Sequence, residues 1–161
     1  MEDIRIYCEN SGTYVMVPMG TTLKELSDKS CPGPMLAALV DNKLKSLDYV
    51  IINPHNVRFV GYDHPDGRRT YIRSLCFVLQ NVVREMFPDK VLAIDYSLPS
   101  GLYCEIREEE NMEDGRPRVF LLTDGQIQGI ADQMRKMIEA DLPFSKSMLE
   151  LDECVRLFSA N

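Results

Sequence analysis

RRTYIRSLCFVLQNVVREMFPDKVLAIDYSLPSGLYCE, residues 68–105, decides the fold of the second part of this chain. From Thr70 to Met86, the apolar residues Ile72, Leu75, Cys76, Leu79, Val82, Val83 and Met86 recur at steps of three and four. That spacing predicts one apolar stripe along a helix. Phe87-Pro88-Asp89 stops it, because proline cannot continue a helix. Val91-Leu92-Ala93-Ile94-Asp95 and Leu102-Tyr103-Cys104-Glu105-Ile106 then read as strands joined by a turn. Further on, Val119-Phe120-Leu121-Leu122 predicts another strand. Thr123 with Gln126 makes a capping box for a long helix that buries Ile127, Ile130, Ala131, Met134 and Ile138. Asp141-Leu142-Pro143 ends that helix, and Ser147 with Glu150 predicts a second capping box for a last helix ending near Phe158. Between 108 and 117 an acidic segment reads as a mobile loop.

In layout and in many residues, this part resembles the second N-terminal domain of threonyl-tRNA synthetases, which edits mischarged tRNA. In that family the helix carries His-x-x-x-His. Counted back from Phe87-Pro88-Asp89, those places fall on Arg73 and Phe77. The family's Gly-Phe-Tyr-Tyr-Asp run matches Gly101-Leu102-Tyr103-Cys104-Glu105. The resemblance therefore implies a degenerate editing cleft lined by Arg73, Phe77, Tyr103 and Glu105, with no catalytic residue and no metal ligand. Arginine is not a base at neutral pH and phenylalanine ligates nothing. Arg73 either offers a planar fork to a carboxylate or phosphate, or pairs with Glu105 and closes the cleft. The family continues to a Cys-x-x-x-His pair. This chain stops at Asn161 without one, which predicts an N-terminal piece of a longer protein.

Residues 1–62 read as a separate unit, with a seam at 60–66 and the second unit over 63–161. Ile4 to Cys8 and Thr13 to Val17 alternate as strands around a Glu9-Asn10-Ser11-Gly12 turn. Thr22 caps a short helix from Leu23 to Ser27. Residues 35–40 read as a buried strand, Asp41-Asn42 as a tight turn into Lys43-Leu44, and 48–52 and 57–60 as the closing strands. VPMGTTLKEL and AALVDNKLKSLDYVI resemble the TGS domain found in threonyl-tRNA synthetases, certain GTPases and stringent-response enzymes. The fold class expected is α+β: a ubiquitin-like β-grasp (TGS) domain followed by an editing-domain-like α+β domain.

A chain of 161 residues with 45% hydrophobic content buries a real core. The formal net charge of −7 excludes a global field attracting nucleic acid. Residues 63–161 hold 12 basic and 18 acidic residues against 6 and 7 before them. Arg68, Arg69 and Arg73 read as a solvated helix edge rather than a nucleic-acid site. No surface combining aromatic and basic side chains is legible for stacking bases. Five scattered cysteines without a C-x-x-C pair predict small core hydrophobes, with Cys76 and Cys104 as one potential thiol pair. His55 in Asn-Pro-His-Asn and His64 before Pro65 read as solvated loop residues. No Gly-x-x-x-x-Gly-Lys segment or Gly-x-Ser-x-Gly elbow occurs. With no leader and no long apolar run, the reading is a cytoplasmic protein without a membrane partner.

Three classes follow. The first is a non-catalytic ligand- or RNA-binding or regulatory module of a larger enzyme. Some bacterial proteins similar to uridine kinases carry such a pair of domains ahead of a P-loop domain. This chain would then need no cofactor, and ATP and Mg²⁺ would belong to the kinase domain, its own C-terminal partner. The alternative is a threonyl-tRNA synthetase-like fragment with a degenerate editing site. The third is a free-standing RNA-binding (tRNA-binding) or stringent-response-type interaction module. A small molecule or tRNA is the expected ligand.

Overall fold

The structure, a computed structural model, describes residues 2–99, 101–108 and 118–158. It is a mixed α+β chain that divides into two compact units, residues 1–81 and 82–161. The acidic segment expected at 108–117 lies, apart from Glu108, outside the described residues.

In the first unit, strands β1 (Asp3–Cys8) and β2 (Thr13–Pro18) form an antiparallel hairpin with Tyr7 opposite Tyr14. Helix α1 (Leu23–Ser30) follows, then β3 (Ala37–Val40), β4 (Lys43–Lys45) and β5 (Asn56–Val60). The five strands make one sheet in the order β2-β1-β5-β3-β4, with β1 and β5 parallel. Strand alternation puts Ile4, Ile6 and Cys8 on one face and Arg5 and Tyr7 on the other. The inner face joins Val17, Leu23, Leu26, Ala38, Val40, Ile51, Val57 and Phe59 in a single core. Asp41 and Asn42 both take positive φ (47° and 64°), the left-handed pair that a two-residue hairpin between β3 and β4 requires.

Helix α1 begins where every first-turn amide finds an acceptor. Thr22 Oγ1 accepts from Glu25 N, and Glu25 returns its carboxylate to Thr22 N at 2.8 Å. Leu23 N donates to Tyr49 O and Lys24 N to Leu47 O. The segment expected as a strand at 48–52 is thus not one. Its ladder groups are taken by the helix start: Ile51 N donates to Thr21 O, Gly20 N donates to Ile51 O, and the pairing amounts to one bridge between Thr22 and Val50. The strand read at 35–40 shortens to Ala37–Val40, with Leu36 N donating to Val60 O just before it.

Helix α2 (Pro65–Met86) starts five residues before Thr70 and runs through the division between the units. Pro65-Asp66-Gly67, read as a seam, is its first turn, since proline suits the first helical position, where no amide bond is needed. His64 caps it: Nδ1 accepts from Asp66 N at 3.2 Å and its carbonyl from Arg68 N at 2.9 Å. Gly67 is buried against Gly61, where a Cβ would stand 1.9 Å from the Gly61 carbonyl oxygen.

The second unit holds β6 (Lys90–Leu98) and β7 (Gly101–Glu108), an antiparallel ribbon, with α3 (Asp124–Glu139) and α4 (Leu151–Phe158). Val82, Val83, Leu92, Ile106 and Ile130 are its buried apolar residues. Phe120 meets Phe87 with ring centroids 5.6 Å apart. Residues 119–122 form no strand. Among the described residues only Arg107–Val119 bridges, with Glu108 N donating to Arg118 O and Phe120 N to Ile106 O before the chain turns to the Thr123 cap. That cap is the predicted box, with Gln126 N on Thr123 Oγ1 and Thr123 N on the Gln126 side chain at 2.9 Å. The buried face of α3 is rotated from the expected one: Ile130 is buried, while Ile127 and Ile138 are exposed. Helix α4 starts at Leu151, so Ser147 does not cap it; the Glu150 carbonyl takes the amides of Glu153 and Cys154. Cysteines 8 and 31 are core residues, Cys76 and Cys154 are half-buried and Cys104 is exposed, contrary to a uniform core role. The pair the fold forms is Cys8–Cys31, Sγ to Sγ 3.9 Å, where burial pushes the Cys31 thiol up to about 11.

Candidate functional site

Of the four residues assigned to a former editing cleft, Arg73 and Phe77 are exposed on α2 within the first unit, and Phe77 keeps 62% of its surface. They stand one helical turn apart, the spacing that sets two side chains on one helix face. Tyr103 and Glu105 belong to β7 in the second unit. The structure brings these last two together, and with them Arg107 and Asp95.

The cause is the two-residue period of the strand, which turns Tyr103, Glu105 and Arg107 to the same face. Tyr103 Oη donates to Glu105 Oε1 at 2.7 Å, and Arg107 Nε donates to Glu105 Oε2 at 2.9 Å. Opposite them, the register slips between Ile94 and Tyr96, a bulge that leaves Asp95 unpaired in the ladder. A bulge re-aims the extra side chain, and Asp95 accepts from Arg107 Nη2 at 2.5 Å. Tyr96 then stacks on Tyr103, centroids 4.8 Å apart and 11° from parallel.

Electrostatically the row is closed. The Tyr103 hydroxyl and the Arg107 guanidinium hold the Glu105 carboxyl below its ordinary range. Beside that carboxylate, the Tyr103 phenol is raised, and Arg107 is raised too, chiefly by its bond to Glu105. A carboxylate with both oxygens engaged and a phenol harder to ionise than usual give neither a general base nor a nucleophile. Within the second unit the guanidinium on Glu105 is that of Arg107, two residues along the same strand. Sequence reading missed Asp95 and Arg107. The Tyr-x-Glu-x-Arg alternation carried the signal for Arg107, whereas nothing local announces the bulge.

Neither histidine is a solvated loop residue. His64 caps α2, and His55 Nδ1 lies 2.6 Å from Asp41 Oδ2, its side chain four-fifths buried. Asp41 Oδ1 accepts from Asn56 N, and this bond, with that from His55, lowers the Asp41 carboxyl. Among the described residues no cluster of three or more His, Cys, Asp or Glu is placed to hold a metal ion. No helix among them is long and apolar enough to cross a membrane.

Two pairings of aromatic and basic side chains form that were not legible in the sequence. On the outer face of the first unit's sheet, the Arg5 guanidinium lies 3.8 Å over the Tyr14 ring, and Tyr14 meets Tyr7 at 5.0 Å. Near the start of α2, Arg68 lies 5.5 Å over Tyr62, which meets Tyr71 edge-on at 5.2 Å. Residues far apart in sequence converge through strand pairing and helix phase, which a linear scan does not display.

No protein-family model matches the chain. Its relatives are threonine–tRNA ligases at low identity. That of Desulforamulus reducens is 27% identical over 143 residues, covering 87% of this chain and 21% of that protein. That of Acetivibrio thermocellus is 25% identical over 140 residues, covering 85% and 20%. That of Coxiella burnetii is 25% identical over 125 residues, covering 78% and 18%. The chain spans about a fifth of the length of these curated relatives. The comparisons favour the synthetase-like reading over the nucleoside-kinase one.

Proposed function

We propose that the chain is a tRNA-contacting module of threonyl-tRNA synthetase type, whose second part keeps an editing-domain scaffold without its hydrolytic chemistry. The observation that carries the reading is the similarity to threonine–tRNA ligases over 85–87% of the chain in two of the relatives. The order β2-β1-β5-β3-β4 with a helix between β2 and β3 supports a β-grasp, TGS-like domain over 1–62. An editing-like domain would then occupy 63–161.

In this reading Arg73 and Phe77 on α2, and Tyr103 and Glu105 on β7, stand at positions of the family's editing site, and their role is contact rather than catalysis. Arg73 supplies a guanidinium suited to a phosphate, and Phe77 an exposed ring suited to a base. Loss of hydrolysis is supported by the side chains themselves, since the two positions the resemblance assigns to histidine carry no proton acceptor. Aminoacylation is not assigned to these residues. A catalytic domain carried in the same protein is the module's natural partner.

Filter retention of threonine tRNA against protein concentration, at several salt concentrations, tests this. The net charge of −7 predicts few phosphate contacts, with log K falling by about 1–3 per decade of salt. Absence of retention even at low salt overturns the reading.

A further inference from the structure

The outer face of the first unit's sheet carries a cleft of about 490 Å³, lined by Arg5, Tyr7, Tyr14, Asp41, Pro54, His55 and Asn56. Its size lies in the range of small-molecule sites, roughly 300–1,000 Å³. Its walls come from three places in the fold: the β1–β2 hairpin, the β3–β4 turn and the residues leading into β5. We propose that this cleft binds a purine nucleotide, its base against the Tyr7 and Tyr14 rings and its phosphate at Arg5.

Tyr14 is 61% exposed and stands beside Tyr7, so the pair offers aromatic surface where the sheet meets solvent. Aromatic faces at a solvent edge are the platforms on which unstacked bases sit, and purines present the larger face. The partner of Arg5 is a ring, not a carboxylate, so its charge stays available to an anion. Arg58 on the same face, by contrast, is neutralised by Glu9 at 2.7 Å.

The Asp41 carboxylate in the cleft wall keeps its charge, but both of its oxygens are engaged, Oδ2 by His55 and Oδ1 by the Asn56 amide. Since an ionised carboxylate only accepts, the proton of that contact sits on His55 Nδ1, which leaves Nε2 as the second polar position of the ring. The dyad thereby fixes the imidazole as a hydrogen-bonding edge beside the rings. The function inferred is binding: Asp41 and His55 hold each other, and the lining contains no serine, threonine, cysteine or lysine.

One ligand chemistry has two sources here: a free purine monophosphate, or an unpaired purine residue of an RNA strand. The test is titration of the whole isotopically labelled chain with AMP and, separately, with a short unpaired adenine oligoribonucleotide, following amide shifts. Saturable shifts centred on Arg5, Tyr7, Tyr14 and His55 with either ligand support the proposal. AMP and oligonucleotide binding alike points to the free nucleotide; an oligonucleotide at least tenfold tighter points to RNA. Tyr14→Ala is expected to weaken binding by roughly tenfold or more, and Tyr14→Phe to retain it. Arg5→Gln is expected to weaken AMP and spare adenosine. The proposal is overturned if neither ligand moves these amides at millimolar concentration, or if Tyr14→Ala binds as the wild type does. Because AMP binding requires no affinity for tRNA, this inference and the synthetase reading fail separately.

Discussion

Replacing Ile51 and Ile52 one at a time by alanine tests how residues 48–52 hold the first unit together. The structure makes Ile51 a pin: it is fully buried, and its backbone holds Thr21 and Gly20 on both sides, while Ile52 is 53% exposed. Ile51→Ala removes three carbons, about 2.4 kcal/mol at ~0.8 kcal/mol per buried methylene. The cavity left in the core raises this to about 3–4 kcal/mol. With a urea slope of roughly 1–2 kcal/mol/M for a unit of this size, the midpoint falls by about 2 M or more. Ile52→Ala stays within about 0.5 kcal/mol, as surface changes do. Because the chain holds two compact units, the assay follows amide signals of β1 and α1 through the urea series rather than a global signal. Equal costs at the two positions, or less than about 1 kcal/mol at Ile51, would refute the pin.

Other outcomes follow from particular contacts. Gly67→Ala drives a methyl group into the Gly61 carbonyl and is expected to cost about 1–3 kcal/mol, measured by the same urea series, whereas Gly125→Ala, with open space around it, is not. Thr123→Ala removes the cap of α3 and costs about 1 kcal/mol, read as a lower thermal midpoint of the second unit. The Asp41, Glu25 and Glu105 carboxyls are all held below their ordinary values in the folded chain, so the stability they contribute is complete above about pH 4–4.5, where unfolded carboxyls ionise. It is lost as pH falls through the lower folded values. Asp41→Asn is therefore expected to be less stable than wild type at pH 7, with the difference shrinking toward pH 3 in parallel acid and urea unfolding curves.

What could be read from the residues was local. The Glu9–Gly12 turn, the Asp41-Asn42 hairpin and the Thr22 and Thr123 caps each depend on a few adjacent side chains whose preferences are strong. What could not be read depends on partners distant in the chain. Residues 48–52 look like a strand because Tyr49 and Ile51 alternate with Val50 and Ile52, but their backbone bonds go to the start of α1. Residues 119–122 look like a strand by composition, yet among the described residues two hydrogen bonds to β7 are the pairing made before the Thr123 cap takes over. Pro65-Asp66-Gly67 resembles a linker, and only the Gly61 carbonyl beside Gly67 shows why glycine belongs in a helix there. In the candidate cleft, Tyr103 and Glu105 were legible as facing residues of one strand. Arg107 was signalled by the same alternation, whereas the Asp95 bulge and the convergence of Arg5, Tyr14 and His55 depend on pairing between distant segments.

The central claim, tRNA contact without editing, meets its most direct test in one time course. Threonine tRNA carrying the wrong amino acid is held at a saturating concentration of the chain, and retained tRNA and released amino acid are followed together. The account predicts retention of the tRNA with release at the rate seen without protein. Release accelerated by the chain, and abolished by substitutions among Arg73, Phe77, Tyr103 and Glu105, would contradict it.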